Sequence, residues 1–188
     1  MKVGLVSKLV SVLESVLSKL GRYDEGSVIG SILSFTNKHN VTGTGSDLGK
    51  QYMSFIRANM DQIAKKISDD LWVLNVMERW HGEQVQMLCT WLTDRLDRSL
   101  HPYQCTCLAH IVKTIRGESE AIGVCKNNLK TRLYQSVVER LTTEYHQLAK
   151  KGKIELANPL HYGGPQNTNS STSSGSTTIT TVSTPVHQ

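Results

Sequence analysis

Apolar side chains recur every three or four residues along most of this chain. Val3, Val6, Leu9, Val10, Leu13, Val16, Leu17 and Leu20 form a first such stripe, and Gly21 follows as a stop. The stripe predicts a helix with a wide apolar arc; a face its own bundle leaves uncovered would need a neighbour from outside the chain. A second, shorter helix is expected from about Asp24 to Phe35, with Val28, Ile29, Ile32 and Leu33 inside. Residues 36–46, TNKHNVTGTGS, read as a polar, glycine-bearing loop. A long helix is expected after Ser46, a good capping residue, on the stripe Leu48, Tyr52, Phe55, Ile56, Ile63, Ile67, Leu71, Leu74 and Met77, reaching Trp80. Ser68-Asp69-Asp70 marks a kink or restart, and His81-Gly82 a joint.

Val85, Leu88, Trp91, Leu92 and Leu96 line the next helix, ended by Leu100-His101-Pro102. On that stripe Trp91 is expected to be buried. Pro102 suits the first turn of a helix carrying Leu108, Ile111, Val112 and Ile115 up to Gly117. A final helix holds Leu129, Leu133, Val137, Leu141, Tyr145 and Leu148 and fades into Lys150-Lys151-Gly152-Lys153. No stretch alternates cleanly enough for a strand. The expected fold is all-α, a bundle of five to six helices over residues 1–156.

The pattern ends near residue 157. From Pro165 the chain reads PQNTNSSTSSGSTTITTVSTPVHQ, more than half of it Ser and Thr. Such a segment buries too little apolar surface to offset roughly 1–2 kcal/mol per residue of backbone ordering, so 157–188 is expected to be a disordered tail.

Charge is uneven. Of 188 residues with a net charge of +5, the last 35 hold one charged side chain, Glu155. The basic surplus therefore belongs to the helical part, and attracts anionic surfaces weakly. Its aromatics do not alternate with Lys or Arg, which argues against a nucleic-acid partner. No run of ~18 apolar residues is present. The N-terminal stripe is interrupted by Lys8 and Glu14, unlike a secretory signal. Four cysteines without a signal are expected to be reduced, and the protein cytoplasmic.

Little reactive chemistry is legible. Gly43-Thr44-Gly45-Ser46-Asp47-Leu48-Gly49-Lys50 imitates a phosphate loop, but Thr44 stands where the first glycine is required and Gln51 where the metal-binding hydroxyl belongs. A dinucleotide fingerprint fails too, because Gly49 lies one residue too far from Gly45. His101, Cys105, Cys107 and His110 cluster within ten residues. On a helix, however, the two thiols stand about 200° apart, and no paired zinc-ligand spacing exists. Most of these cysteines read as small buried hydrophobes, with a Cys/His nucleophile as the remaining enzymatic alternative. Asp94 and Arg98 are expected to form a minor surface i,i+4 pair. No catalytic, cofactor-binding or metal-binding residue is assigned. The candidate contact residues are Lys113, Arg116, Lys126, Lys130 and Arg132, around the 117–128 connection, where Glu118 and Glu120 offset them and anionic lipid is the fitting partner.

Two segments carry a family resemblance. Leu9 through Gly26 (LVSVLESVLSKLGRYDEG) with Ser31–Thr36, and Cys89 through Asp97 (CTWLTDRLD) with Leu100-His101 and Tyr103-Gln104, resemble the C-terminal region of the calcium-dependent activator proteins for secretion (CAPS). Val112-Lys113 and Leu129, Lys130, Thr131 and Tyr134 continue the likeness, which is colinear over about residues 3–145. The resemblance implies a helical, Munc13-like MUN region and a non-enzymatic priming factor for dense-core vesicle exocytosis. It also implies SNARE proteins and a vesicle or plasma membrane as partners, with a peripheral location on cytoplasmic vesicles or the presynaptic membrane. The family's calcium and phosphoinositide sites belong to upstream C2 and PH domains and map onto no residue here, so no cofactor is expected. The alternative function is a generic helical adaptor on anionic membranes.

Overall fold

The computed structural model describes residues 2–24, 38–154 and 160. Six helices account for them: α1 (Lys2–Gly21), α2 (Lys38–Lys66), α3 (Asp70–Thr93), α4 (Pro102–Ile122), α5 (Lys126–Leu129) and α6 (Arg132–Lys150). No strand occurs among the described residues. The all-α expectation holds. The helix expected over 24–35 and almost all of the expected tail lie outside the described residues; Leu160, inside that tail's span, is buried against the core.

Several boundaries differ from the sequence reading, each for a physical reason. Residues 38–46 are helix rather than loop, and Gly45 among them serves packing. A Cβ on Gly45 would stand 2.8 Å from the Tyr103 carbonyl oxygen, and one on Gly49 3.0 Å from Cδ2 of His110. Small residues one turn apart let α2 lie unusually close to α4, and this is the most extensive helix pairing in the molecule. The long helix then breaks at residues 67–69, where the Asp69 carboxylate accepts from the Trp72 amide and starts α3. No joint follows at His81-Gly82; α3 runs through it, held from inside by buried Trp80, His81, Gln84 and Val85. It stops at Thr93, short of Leu96.

At the start of α4, His101 caps the helix and exchanges bonds with Gln104, with Pro102 in the first turn. α4 passes Gly117 and ends at Gly123, whose φ of 105° is a left-handed conformation that favours glycine. The last expected helix is two pieces, α5 and α6, the second capped by Thr131.

One core unites the elements. Val6, Leu9, Leu13, Val16, Leu17 and Leu20 of α1 are buried in it, so α1 closes largely on its own bundle. Buried polar groups are tied across helices: Tyr52 of α2 donates to Gln84 of α3, and Arg140 of α6 donates to the carbonyls of Arg95 and Arg98. The buried Glu144 pairs with Arg140 at 2.8 Å and accepts from the Leu100 amide, fixing the α3–α4 turn against α6.

Candidate functional site

The cysteine and histidine cluster is structural. Cys105 and Cys107 are fully buried on α4. Burial, assisted by Glu144, raises the Cys105 thiol far above its ordinary value, and burial pushes Cys107 up to about 12. Neither is a thiolate at neutral pH. Nδ1 of His101 accepts from the Tyr103 amide at 3.2 Å as a cap. His110 sits against Gly49; burial and then Lys50, Arg57 and Lys113 lower its pKa. Cys89 is half-buried and Cys125 is exposed. Asp94 and Arg98 do not pair as expected: Arg98 turns to Asp97 at 3.4 Å, because the helix has already ended.

A polar junction gathers three chain segments. Arg95 forks onto Asp24 with bonds of 2.9 and 2.8 Å, and its guanidinium lies 3.7 Å from the centre of the Trp91 ring. Trp91 donates to the Leu17 carbonyl at 3.2 Å, and Gln104 donates to the Leu20 carbonyl and to Asp24. Tyr23 stacks on Tyr103 with ring centres 4.1 Å apart. Burial alone would raise the Asp24 pKa; the bonds from Arg95 and Gln104 and the charges of Arg95 and Arg98 outweigh it and hold the carboxyl below its ordinary range. Asp24, Trp91, Arg95 and Gln104 come from the two segments that carry the family resemblance. Those segments therefore meet in space, as a lock on the fold.

The five candidate cations do not form one patch. Arg116 is turned inward, bonded to Glu120 at 2.7 Å with its guanidinium 5.6 Å from the Tyr134 ring. Glu118 is held by Arg57 of α2 at 2.6 Å. Lys113 is exposed but belongs to the α2–α4 face, where it joins Lys50 and Arg57 around His110. Lys126, Lys130 and Arg132 are exposed on and just beyond α5.

What the sequence reading missed lies next to those three. The Arg57–Glu118 pair and the Gly45–Tyr103 approach make α2 and α4 run parallel, so both end at the same end of the bundle, where α3 begins. Leu74 lies against Gly123 and α5 packs on α3 and α4, which places α5, with Lys126 and the following Lys130, at the end of the bundle where α3 begins. Exposed Lys65 and Lys66 close α2 there. Leu71, in the first turn of α3, is 73% exposed, and Leu133, in the first turn of α6, is 40% exposed. Both had been counted as core. The helix restart at Asp70 resets the phase of the stripe, and Leu133 falls in a first turn that starts later than its periodicity suggests. Exposed Asp69 and Asp70 only partly offset the positive charge of this end. The exposed Lys150, Lys151 and Lys153 lie at the opposite end, where Lys153 helps lower the His101 pKa after burial.

Among the described residues, six packed helices held by buried polar ties, with Cys105 and Cys107 sequestered, form a helical scaffold. The model of the MUN domain matches residues 1–79 and 73–118. The chain belongs to the MUN domain family, and it is 52% identical over 141 residues to the Calcium-dependent secretion activator of Drosophila melanogaster. That match covers 75% of this chain and 10% of the relative, so the chain spans about a tenth of the relative's length. No solved structure matches it. No helix among the described residues is long and apolar enough to cross a membrane.

Proposed function

We propose that this chain is a non-enzymatic interaction module of a vesicle-priming factor in calcium-regulated, dense-core vesicle exocytosis. It meets SNARE proteins through its helix faces and an anionic vesicle or plasma membrane through the α5 end of the bundle, peripherally and from the cytoplasmic side. It carries no cofactor of its own; calcium and phosphoinositide belong to other parts of a longer protein. Membership of the MUN domain family and the likeness to the Drosophila Calcium-dependent secretion activator support the secretory role.

The observation that supports the membrane contact is Leu71, 73% exposed at the end of the bundle that also carries the exposed Lys65, Lys66, Lys126 and Lys130. A leucine at a cationic end matches an anionic bilayer surface better than a purely aqueous partner. The side chain gains from leaving water, and each near-surface Lys or Arg contributes about 1 kcal/mol. Asp69 and Asp70 subtract from that, leaving a few kcal/mol. Attachment through this end alone is therefore millimolar-range and becomes useful when other contacts raise the local concentration.

Flotation with phosphatidylserine-containing vesicles tests the reading. The wild-type chain should float, and the triple variant Lys126→Glu/Lys130→Glu/Arg132→Glu should not. Recovery should also fade with salt, as the Debye length shrinks from ~10 Å at 0.1 M to ~3 Å at 1 M. Equal recovery of the two proteins, or recovery on phosphatidylcholine alone, would contradict it.

A further inference from the structure

A long groove separates α1 from α3 on the face away from α4. Its wider part is a hollow of about 630 Å³ running from Val10 to Gly21 and Arg95, and a second hollow of about 270 Å³ continues it to Val6 and Arg79. The two share Val10, Glu14, Glu83 and Met87, so they form one trough. Along α1 it extends from Val6 to Gly21, about 22 Å at 1.5 Å per residue, the length of a four-turn helix. Val10, Met87 and Trp91 give it an apolar floor, and Val10 and Met87 are only half-buried. Glu14, Glu83 and Asp94 stand along its walls. Glu83 has a loose pair with Arg79 at 3.8 Å, whereas Glu14 and Asp94 have no basic partner among the described residues. Arg95, the cation at the far end, is already spent on Asp24. The trough is thus acidic, on a chain whose net charge is +5.

From this shape and charge we infer that the α1–α3 trough docks a basic amphipathic helix of a partner protein. The partner's apolar stripe would lie on Val10 and Met87, and its flanking lysines or arginines against Glu14, Glu83 and Asp94. Two other stretches of the chain's own sequence fit poorly. Residues 25–37, EGSVIGSILSFTN, contain an acid and no base, and the stretch from Pro165 contains no lysine or arginine. Neither would neutralise the walls. The inference stands on different residues from the membrane contact, and survives or fails without it.

The test uses the full chain and a dye-labelled synthetic helix of leucine and lysine, about four turns long, with leucines spaced i, i+3, i+4 and i+7. Fluorescence anisotropy should show saturable binding, weaker for a scrambled peptide of the same composition. Glu14→Lys/Asp94→Lys should weaken binding on the order of tenfold or more. Both side chains are exposed, so the fold should survive, which a thermal melt verifies. Glu139→Lys, a charge reversal at an exposed position of α6, should bind as wild type does. Three results would overturn the inference: equal loss with Glu139→Lys, equal binding of the scrambled peptide, or a dimer of the free protein that Glu14→Lys dissociates. The last would mean that a second copy fills the trough.

Discussion

Trp91 shows how much a single position can carry. It is 9% exposed, its indole N–H reaches the Leu17 carbonyl, and Arg95 lies over its face. Trp91→Ala should cost roughly 3–5 kcal/mol in urea unfolding, through the cavity and the lost α1–α3 tie; a loss below ~1 kcal/mol would mean that the ring does little for the core. The burial of Trp91 was legible, because it shares a face with Leu88 and Leu92. Its hydrogen bond was not, since the acceptor lies 74 residues away. Arg116 was misread as a surface cation for the same reason: Tyr134 is brought to it by tertiary folding.

Acid sensitivity also resides in particular residues. His81 is 1% exposed; burial and then the Arg116 charge lower its pKa from 6.5 to about 4. The unfolded chain therefore binds a proton that the folded one refuses, and stability falls by up to about 1.4 kcal/mol per pH unit from His81 between pH 6.5 and about 4. His101 and His110 shift in the same direction. Asp24 has a depressed pKa, so its contribution is present above 3.8 and disappears as pH falls through its lower folded value. Denaturant midpoints against pH should therefore flatten between 6.5 and 4 in His81→Phe, and below 4 in Asp24→Asn. An unchanged profile in His81→Phe would mean that the imidazole is hydrated in the folded state.

At the scale of elements, the sequence pattern supplied helix identity better than helix ends. Pro102 and the Gly21 stop were legible because each acts locally. Gly43 and Gly45 were read as part of a loop because glycine is a poor helix former, by about 1 kcal/mol against alanine. In α2 the cost is outweighed by close approach to α4. Gly45→Ala should accordingly destabilise the protein by about 1–3 kcal/mol despite its better helix propensity, because the new methyl would meet the Tyr103 backbone. Stabilisation in urea unfolding would show instead that α2 and α4 can separate slightly at no cost. The restart at Asp69 was only half visible, since a capping aspartate inside an unbroken apolar stripe does not reveal which residues lose their phase. Leu71 lost it, and was thereby placed on the surface.

Across the whole molecule, two exposed leucines mark opposite ends. Leu71 lies at the end that carries the lysines of the α2 terminus and of α5, whereas Leu96, 63% exposed, stands in sequence between Asp94 and Asp97. The basic residues were legible in the sequence, but their division between the α2–α4 face and the α5 end depended on helix order and direction. The proposed contact of the α5 end with an anionic membrane can be read directly. The most direct measurement attaches a nitroxide at Leu71→Cys or Leu96→Cys, in a background of Cys89→Ser/Cys125→Ser, and reads immersion depth by electron paramagnetic resonance on phosphatidylserine-containing vesicles. The label at position 71 should enter the lipid interface while the label at 96 stays in water. Equal aqueous exposure of both labels, or immersion at 96 alone, would contradict the claim.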